Sequence, residues 1–552
     1  MIEYDDKVLF YTPKRMISLW KELASSCVQL FYNGRIENMD DKQSAIWKEI
    51  DGETTIQTIS TNTSIEIKDI INILLVWKEK RYIIFNYDSL SPTQEKDTNH
   101  FLDLSLIRAD IDVLFFVPPS PHANTRTVAT SNLYPLGIGY LMSIIERDSN
   151  YTFDAVNAWN ENLDEENIEK IFSIARPKVV GISTMTDNYQ NGLKIAQIAK
   201  KLFPQIIVFM GGPHATFRGP EILNNNLSID YVLQGESEKV IVPLLNAILA
   251  GNQNMEDIEG LVYRGAEGIV QQEKAELITE LDTIPFPKRG TNYFTNMDEV
   301  GIITSRGCPG RCIFCCASSM SGCKYRMRSP ENVIAEIKDL VNRGAKRISI
   351  IDDTFTVSIS RMYRILDLIK EAKFQNVSFS AESRVDVVSN DKKIFSELFS
   401  AGFKTIQFGV ESGSQDILNK LNKRITVEQI LVAVSLAAQS GLVPYCTLLI
   451  GHPFETNESI NDSISFAKQL IDLGAAVFFS VVTPYPGSDI GDHPNQYGIK
   501  ILSDSYDQYS TNNPIIDIPH MNRSSIRKAF YDATLEIAKY FIKTRQRQNN
   551  HA

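Results

Sequence analysis

Three cysteines in the middle of the chain stand at spacings that suit an iron–sulfur cluster. They are Cys308, Cys312 and Cys315, and the glycines and proline between residues 307 and 310 favour an irregular loop around them. Thiolates are soft ligands for such clusters, and cysteines this close can converge on one cluster only from a loop. Three ligands would leave one iron of a 4Fe–4S cluster open to a small molecule. The alternatives are reduced thiols without metal, or a zinc site, which would want a fourth ligand and usually C-x2-C pairs.

The spacing of these cysteines and the aromatic residue before the third one resemble the C-x3-C-x-aromatic-C signature of radical S-adenosylmethionine (SAM) enzymes. In that family the open iron takes the amino and carboxylate groups of SAM. The resemblance implies that Phe314 packs near the SAM adenine. Cys316 and Cys323 lie outside the spacing and are interpreted as bystanders.

The elements that must position this loop alternate between strands and helices. From residue 300 onward six apolar strands are separated by amphipathic helices, which predicts an open, partial barrel with function on the loops after the strands. Polar residues follow the second, third and fourth strands in motifs that resemble the family's. We expect the following to contact SAM: Asp352, Glu382, Arg384, Glu411 and Ser412. Glu411 and Ser412 suit the amino and ribose groups of SAM, and Arg384 suits its carboxylate through a forked contact.

Residues 111–255 show a second β/α alternation, which predicts a doubly wound parallel sheet with a ligand beyond the carboxyl ends of its strands. Its strand-end loops resemble the cobalamin-binding domain of cobalamin-dependent radical SAM enzymes; a generic flavodoxin-like domain is the alternative. The resemblance implies that seven residues line the cofactor site: Ser183, Thr184, Gly211, Gly212, His214, Gly235 and Glu236. The glycines would let the backbone approach the corrin and its nucleotide tail, and the two hydroxyls would bind that tail.

The Asp-x-His-x-x-Gly motif, which supplies a lower axial histidine in many cobalamin proteins, is absent after the first strand of this segment. The loop there contains His122 without the motif's other residues, so we interpret it as a loop residue. We therefore expect cobalamin with its own base displaced and no protein imidazole on cobalt.

Residues 1–90 combine three helical patterns with short strands, which predicts a small winged helix. The stretch from Ala45 to Ile59, with Asp51-Gly52-x-Thr54, resembles the RiPP recognition element. RiPPs are ribosomally made, post-translationally modified peptides. In that family a leader peptide adds a strand to the edge of the wing. A packing or dimerisation subdomain is the alternative.

Composition and charge narrow the function classes. The chain has 552 residues, 43% of them hydrophobic and 22% charged, which is ordinary for globular domains. Its formal net charge of −11 argues against nucleic-acid binding. No apolar run is long enough for a membrane span, and the N-terminus has no signal-peptide pattern. The cysteine pattern is not a disulfide framework, so we expect a cytoplasmic protein.

The sequence thus predicts an α/β protein in which a doubly wound cobalamin-binding domain and a partial (β/α)6 radical SAM barrel follow a winged-helix-like domain. The expected segments are a winged helix (1–90), a linker (91–110), a cobalamin-binding domain (111–255), a hairpin and linker (256–295), a barrel (296–500) and a helical tail (501–552).

The resemblance implies three cofactors: a 4Fe–4S cluster, SAM and cobalamin. The expected function is radical C-methylation of a ribosomal peptide at an unactivated carbon, through methylcobalamin and a 5′-deoxyadenosyl radical. The alternatives are ring closure, oxidation or epimerisation with the same cofactors, and a non-enzymatic cobalamin- or peptide-binding module. The expected partners are a precursor peptide, bound through its leader, and an electron donor such as flavodoxin or ferredoxin. The sequence does not identify a catalytic residue.

Overall fold

The computed structural model describes most of the chain, with gaps that are largest near the N-terminus. The described residues are 13–15, 20–22, 28–32, 35–50, 56–79, 83–85, 104–121, 135–159, 163–289, 298–389 and 391–549. The loop that contains His122 lies outside them, as does most of the predicted linker.

The N-terminal segment contains three helices and two small antiparallel sheets. Its elements are β1 (Pro13–Arg15), β2 (Trp20–Glu22), β3 (Val28–Tyr32), β4 (Arg35–Asn38), α1 (Asp41–Glu49), α2 (Ile56–Thr63), α3 (Ile67–Glu79) and β5 (Ile83–Phe85). The strands pair as β1–β5 and as β2–β3–β4. Asp40 and Gln43 form a capping box at the start of α1. Trp47 and Trp77 pack edge to face, 5.2 Å apart, in the core between the helices. The winged-helix assignment stays a prediction.

A seven-stranded sheet follows. Its elements are β6 (Val113–Val117), α4 (Leu136–Asp148), β7 (Phe153–Asn157), α5 (Glu165–Ala175), β8 (Val179–Ser183), α6 (Tyr189–Leu202), β9 (Ile207–Gly211), α7 (Pro213–Asn225), β10 (Tyr231–Leu233), α8 (Ile241–Leu245), β11 (Leu261–Gly265) and β12 (Gly268–Gln271).

The strand order of this sheet is β12–β11–β10–β9–β8–β6–β7. The five strands from β10 to β7 are parallel, and β11 and β12 add an antiparallel hairpin at one edge. Alternate residues of β6 point into two separate cores, Leu114 and Phe116 into one and Val113 and Phe115 into the other. Because both faces are covered, the strands are apolar throughout. The connection order reverses between β6 and β8, where ligands bind in such sheets.

A six-stranded sheet forms the third part of the molecule. Its elements are β13 (Glu299–Ile302), β14 (Ser305–Arg306), α9 (Ala317–Ser321), β15 (Arg326–Met327), α10 (Pro330–Asn342), β16 (Arg347–Ile350), α11 (Ile359–Ala372), β17 (Ser378–Ser383), α12 (Ile394–Ser400), β18 (Phe403–Glu411), α13 (Gln415–Lys420), α14 (Val427–Gln439), β19 (Val443–Ile450), α15 (Asn457–Asp472), β20 (Ala476–Val481) and α16 (Asp489–Asp492).

The six strands β13, β16, β17, β18, β19 and β20 are parallel and lie in chain order, with β13 and β20 at the edges. All carboxyl ends therefore meet at one end of the sheet. The pair β14–β15 is a separate antiparallel ribbon at that end. The sequence did not predict this ribbon.

The C-terminal segment packs against the part of the molecule that contains the six-stranded sheet. It consists of the ribbon β21 (Lys500–Ile501) and β22 (Ile516–Asp517), then α17 (Arg523–Asn549). Ile526, Phe530 and Ile537 of α17 join the same buried core as the six-stranded sheet. The predicted mixed α/β fold with parallel sheets is confirmed. No helix in the described part of the chain is long and apolar enough to cross a membrane.

Candidate functional site

A cavity of about 270 Å³ opens at the carboxyl end of the six-stranded sheet. Its walls bring together residues that are far apart in sequence: Cys308, Cys312, Phe314, Cys315, Asp353, Glu382, Arg384, Glu411 and Lys423. Parallel strands in chain order direct all their carboxyl-end loops to this place, which explains the convergence.

The cysteine loop is closed at its base by the β14–β15 ribbon. Gly307 stands where the two ends of the loop meet, with a φ of +92°, and a Cβ there would lie 2.4 Å from the Lys324 carbonyl oxygen. Only glycine fits this position, because both the conformation and the space exclude a side chain.

Two of the three cysteine sulfur atoms accept hydrogen bonds from backbone amides. The amides of Gly310 and Ala317 donate to the sulfurs of Cys308 and Cys315, each over 3.4 Å. A Cβ on Gly310 would lie 3.3 Å from Cys308 Sγ and 4.0 Å from Cys312 Sγ, so both sulfurs face the same small space. This arrangement fits a cluster, since N–H donors near its sulfurs are a recognised means of tuning it.

Burial raises the pKa of Cys312, and it raises the pKa of Cys315 to about 12. Without a cation these thiols stay protonated, whereas bound iron would supply the compensating charge. Within the described residues, no three His, Cys, Asp or Glu side chains converge on one point as ligands of a single metal ion. In a 4Fe–4S cube each thiolate binds a different iron, so the three sulfurs of this loop need not converge on one metal ion.

Glu411 and Lys423 form an ion pair on the cavity wall. Glu411 ends β18 with a φ of +66°, and its carboxylate folds back over Gly409 to accept a 2.7 Å hydrogen bond from Lys423 Nζ. Burial by itself lowers the pKa of Lys423, but the Glu411 carboxylate outweighs it and keeps the ammonium charged. Lys423 also lies 6.0 Å from the centre of the Phe314 ring. Sequence reasoning missed Lys423, since nothing in its neighbourhood marks a lysine twelve residues after a strand end.

Glu382 contributes a second carboxylate to the cavity. Among the described residues its side chain accepts one hydrogen bond, 3.3 Å long, from Gln407 Nε2. Burial first, then the nearby charge of Asp353, raises the pKa of Glu382 to about 7. The sequence predicts Asp352 as a site residue, whereas in the structure its neighbour Asp353 lines the cavity. Within the described residues neither Glu382 nor Asp353 forms an ion pair, so both carboxylates suit a ligand with an ammonium group.

We expect Glu382→Gln to stabilise the cofactor-free protein at pH 8. The pKa of Glu382 in the folded protein, about 7, lies above the value of 4.5 for an ordinary glutamate. The folded state therefore binds more protons between these pH values, and stability falls as pH rises. Above pH 7 the buried charge costs its full amount, about 1–3 kcal/mol. The free energy of unfolding of the variant should exceed that of the native protein at pH 8, and the difference should vanish near pH 4. Glu267→Gln, in an exposed turn, is the control; an equal gain at both pH values would contradict the prediction.

Three of the expected SAM contacts have partners inside the protein. Asp352 is buried and accepts hydrogen bonds from the Thr304 amide and from Thr304 and Ser305 hydroxyls, at 2.6, 2.5 and 2.5 Å. Ser412 is fully buried and shares a 3.2 Å contact with Ser463 Oγ. Neither side chain lines the cavity. Arg384 does line it, with its guanidinium bonded to Asp386 at 2.8 and 3.0 Å.

The second group of expected site residues lies at the carboxyl ends of β8 and β9. Gly212 has a φ of +93°, and a Cβ there would lie 2.7 Å from the Thr184 carbonyl oxygen. The Thr184 amide donates to the Gly211 carbonyl over 2.9 Å, and the His214 amide donates to the Thr184 carbonyl over 3.2 Å. These bonds fasten the two loops to each other. The Ser183 hydroxyl lies beside the same turn, 3.0 Å from that Cβ position.

His214 is enclosed in the first turn of α7. Its ring lies between Tyr189 and Tyr506, with centroid distances of 4.3 and 4.5 Å, and it is only 1% exposed. Nδ1 is 3.3 Å from the Thr186 hydroxyl, while Nε2 has no hydrogen-bond partner among the described residues. Burial, with the charge of Arg218, lowers the pKa of His214 to about 3, so the ring is neutral.

Gly235 and Glu236 follow β10. Gly235 has a φ of +78°, and nothing lies within 4 Å of the position that its Cβ would take, so the backbone is open to a ligand there. The Glu236 side chain instead points to the cysteine loop, where it binds Arg326. The open backbone at Gly235 and the unbonded Nε2 of His214 fit a large cofactor above this end of the sheet.

Comparison with known protein families gives two matches. Residues 302–467 match the model of the Radical SAM superfamily, and residues 125–245 match that of the B12 binding domain.

Among curated proteins, an uncharacterized methyltransferase from Pyrococcus horikoshii is 32% identical over 422 residues, which cover 75% of this chain and 90% of the relative. An anaerobic magnesium-protoporphyrin IX monomethyl ester cyclase from Rubrivivax gelatinosus is 27% identical, with 75% of each chain covered. Among solved structures, the radical S-adenosylmethionine methyltransferase TsrM from Kitasatospora setae, with cobalamin and a [4Fe-4S] cluster bound, has a TM-score of 0.62 at 17% identity. The match covers 78% of this chain and 89% of TsrM.

Proposed function

We propose that this chain, which belongs to the radical SAM enzymes that carry a B12-binding domain, methylates an unactivated carbon of a ribosomally made peptide. The chain is a radical SAM enzyme, and its cofactors are a 4Fe–4S cluster, SAM and cobalamin. Methyl transfer is supported by the Pyrococcus horikoshii relative, which carries a methyltransferase name. Two parts of the proposal go beyond these similarities: that the methyl group is transferred to an unactivated carbon, and that the substrate is a peptide.

The observation that carries the proposal is the single cavity that Cys308, Cys312 and Cys315 share with Glu382, Glu411 and Lys423. When bound, the cluster and SAM would supply a carbon-centred radical, and cobalamin would supply the methyl group. We assign the SAM ammonium to Glu382 and Asp353 instead of Glu411, because Glu411 is already paired with Lys423, whereas neither of these two forms an ion pair within the described residues. We assign to Lys423, held by Glu411, and to Arg384 the SAM carboxylate.

The chain's own residues would also limit the access of water to the reacting carbon. Phe314 lies between the cysteines and the buried ring of His452, with 6.4 Å between the two ring centres, and it packs against the main core. An apolar wall there would shield the adenine side of SAM.

The peptide part of the proposal depends on the N-terminal segment. Among the strands that the structure describes, β4 lies at one end of the order β2–β3–β4, and we propose this edge as the place where a leader peptide adds a strand. A leader peptide bound there would be held close to the barrel, and tethering raises the effective concentration of the segment to be modified. The electron donor that we propose is a one-electron carrier such as flavodoxin or ferredoxin.

We expect deletion of residues 1–100 to reduce the turnover of a leader-bearing peptide by about 100-fold, because tethering gains of that order are lost. SAM cleavage in the absence of peptide should persist, because the cavity residues all lie beyond residue 300. A core peptide without its leader is the matched control, and its turnover should be the same with both proteins. Undiminished modification of the leader-bearing peptide would remove the recognition role and leave a packing or dimerisation domain.

The reaction products distinguish methylation from the alternative reactions. Methyl transfer would yield S-adenosylhomocysteine beside 5′-deoxyadenosine, and the peptide would gain the mass of one methylene. The similarity to a cyclase favours a second candidate, in which ring closure, oxidation or epimerisation yields 5′-deoxyadenosine without S-adenosylhomocysteine. That second product pattern would rule out methylation for the substrate tested.

A further inference from the structure

The turn after β10 touches two cofactor regions at once. Its sequence is Gly235-Glu236-Ser237-Glu238, and its backbone at Gly235 is open to a ligand beyond the sheet. Both of its glutamate side chains extend the other way, to arginines that lie at the two ends of the cysteine loop. One short turn therefore connects the B12-binding domain to the residues that hold the cluster.

Arg326 is the main contact of this turn. Its guanidinium forms a forked pair with Glu236, at 2.6 Å from Nη2 to Oε1 and 2.9 Å from Nη1 to Oε2. The same group donates to the carbonyl oxygen of Ser321 inside the cysteine loop, over 2.9 Å, and to that of Ile278 in the segment between the domains, over 2.7 Å. Rotation of Glu236 would therefore move a guanidinium that fixes the backbone of the cluster loop.

Arg306 makes the second contact, from the position two residues before Cys308. It binds Glu238 over 2.6 Å and Glu236 over 3.3 Å, and it lies 5.1 Å from the centre of the Tyr140 ring on α4. Arg306 and Arg326 are direct neighbours across the β14–β15 ribbon. Both ends of the cysteine loop are therefore bound to the B12-binding domain.

The network of these two glutamates and two arginines is buried, and its charges balance. Its four charged side chains are between 2% and 12% exposed, with two carboxylates facing two guanidinium groups. Burial by itself raises the pKa of Glu236, but the hydrogen bonds from Arg326 and the charge of Arg306 outweigh it, so the carboxylate stays ionised. Such a network has few alternative arrangements, because a separated charge would be buried without a partner.

We propose that Glu236 is a positioning residue that couples cobalamin binding to the geometry of the cluster loop. A ligand that fills the space beside Gly235 fixes the turn, the turn fixes Arg326 and Arg306, and these fix the two ends of the loop that carries Cys308, Cys312 and Cys315. By reciprocity, loading of the cluster must strengthen cobalamin binding by the same factor. The coupling holds whatever the substrate is, and a factor of about 10 is typical of such couplings.

The test compares cobalamin binding by the full chain in the presence and absence of the cluster. Cobalamin affinity is measured by absorbance titration with the cluster loaded and with the cluster removed, and the EPR spectrum of the reduced cluster is recorded with and without cobalamin. In the native protein we expect about 10-fold tighter cobalamin binding when the cluster is present and a cobalamin-dependent change in the spectrum. In Glu236→Gln we expect the two affinities to agree within a factor of about 2 and the spectrum to lose its dependence on cobalamin.

The matched control is Glu146→Gln, which removes the exposed ion pair between α4 of the B12-binding domain and Lys288 in the segment that precedes the barrel. It should keep the native coupling. If Glu236→Gln does not fold, Arg326→Lys serves, since a lysine keeps the charge but cannot make the four directed contacts. The proposal is overturned if the native protein shows no coupling, or if the coupling survives in Glu236→Gln or Arg326→Lys.

Discussion

Replacement of Cys308, Cys312 or Cys315 by alanine should abolish the brown iron–sulfur absorbance and the cleavage of SAM together. The three side chains share one cavity, and backbone amides donate to the sulfurs of Cys308 and Cys315. We expect each thiolate to bind a different iron of the cluster. With two cysteines left, two irons of the cluster would have no protein ligand. The remaining thiols would bind iron poorly, because burial keeps the thiols of Cys312 and Cys315 protonated when no cluster is bound. We expect iron content below about one tenth of the native value, because the loss of even an outer-shell partner costs about 10–100-fold in metal affinity.

The chain provides its own control cysteines. Cys316 is the next residue in sequence and Cys323 lies farther along the same loop, yet neither lines the cavity. Cys316→Ala and Cys323→Ala should keep both the absorbance and SAM cleavage, measured after identical anaerobic reconstitution. Loss of the cluster in Cys316→Ala, with an intact cluster in Cys315→Ala, would show that the third ligand is Cys316.

The sequence predicted best what depends on local pattern. The sequence predicts a hairpin within residues 256–295, and β11 and β12 form one in the structure. The β/α alternation likewise predicted both parallel sheets, because buried parallel strands are apolar runs between amphipathic helices. These features can be found without knowing any contact between distant residues.

Side-chain direction could not be predicted in the same way. Glu236 belongs to a turn whose backbone fits the expected cofactor, yet its carboxylate binds Arg326, which is 90 residues away in sequence. Asp352 and Asp353 are adjacent, and the structure directs only Asp353 into the cavity. Lys423 and Glu411 form a pair because α13 returns the chain to the end of β18. Each of these outcomes depends on tertiary packing, about which a motif carries no information.

Gly212→Ala should eliminate cobalamin binding, whereas Gly211→Ala should leave it nearly unchanged. At Gly212 the φ of +93° is unfavourable for alanine, and the new Cβ would lie 2.7 Å and 2.9 Å from the Thr184 carbonyl oxygen and amide nitrogen. The loops after β8 and β9 would have to separate, at a cost of about 2–4 kcal/mol. At Gly211 the nearest atoms, both of Leu233, are 3.9 and 4.0 Å away, which is ordinary van der Waals contact.

The measurement is the cobalamin that remains bound after desalting, together with iron content and thermal unfolding of each variant. Gly212→Ala should lose cobalamin by more than about 10-fold while it keeps its iron, because the three cysteines line a cavity to which Gly212 does not belong. Native cobalamin content in a folded Gly212→Ala protein would contradict the strain argument. Loss of cobalamin in both variants, each with native unfolding, would mean that the cofactor itself occupies the space beside Gly211. In that case the ligand, and not only the Thr184 backbone, would exclude a side chain from this turn.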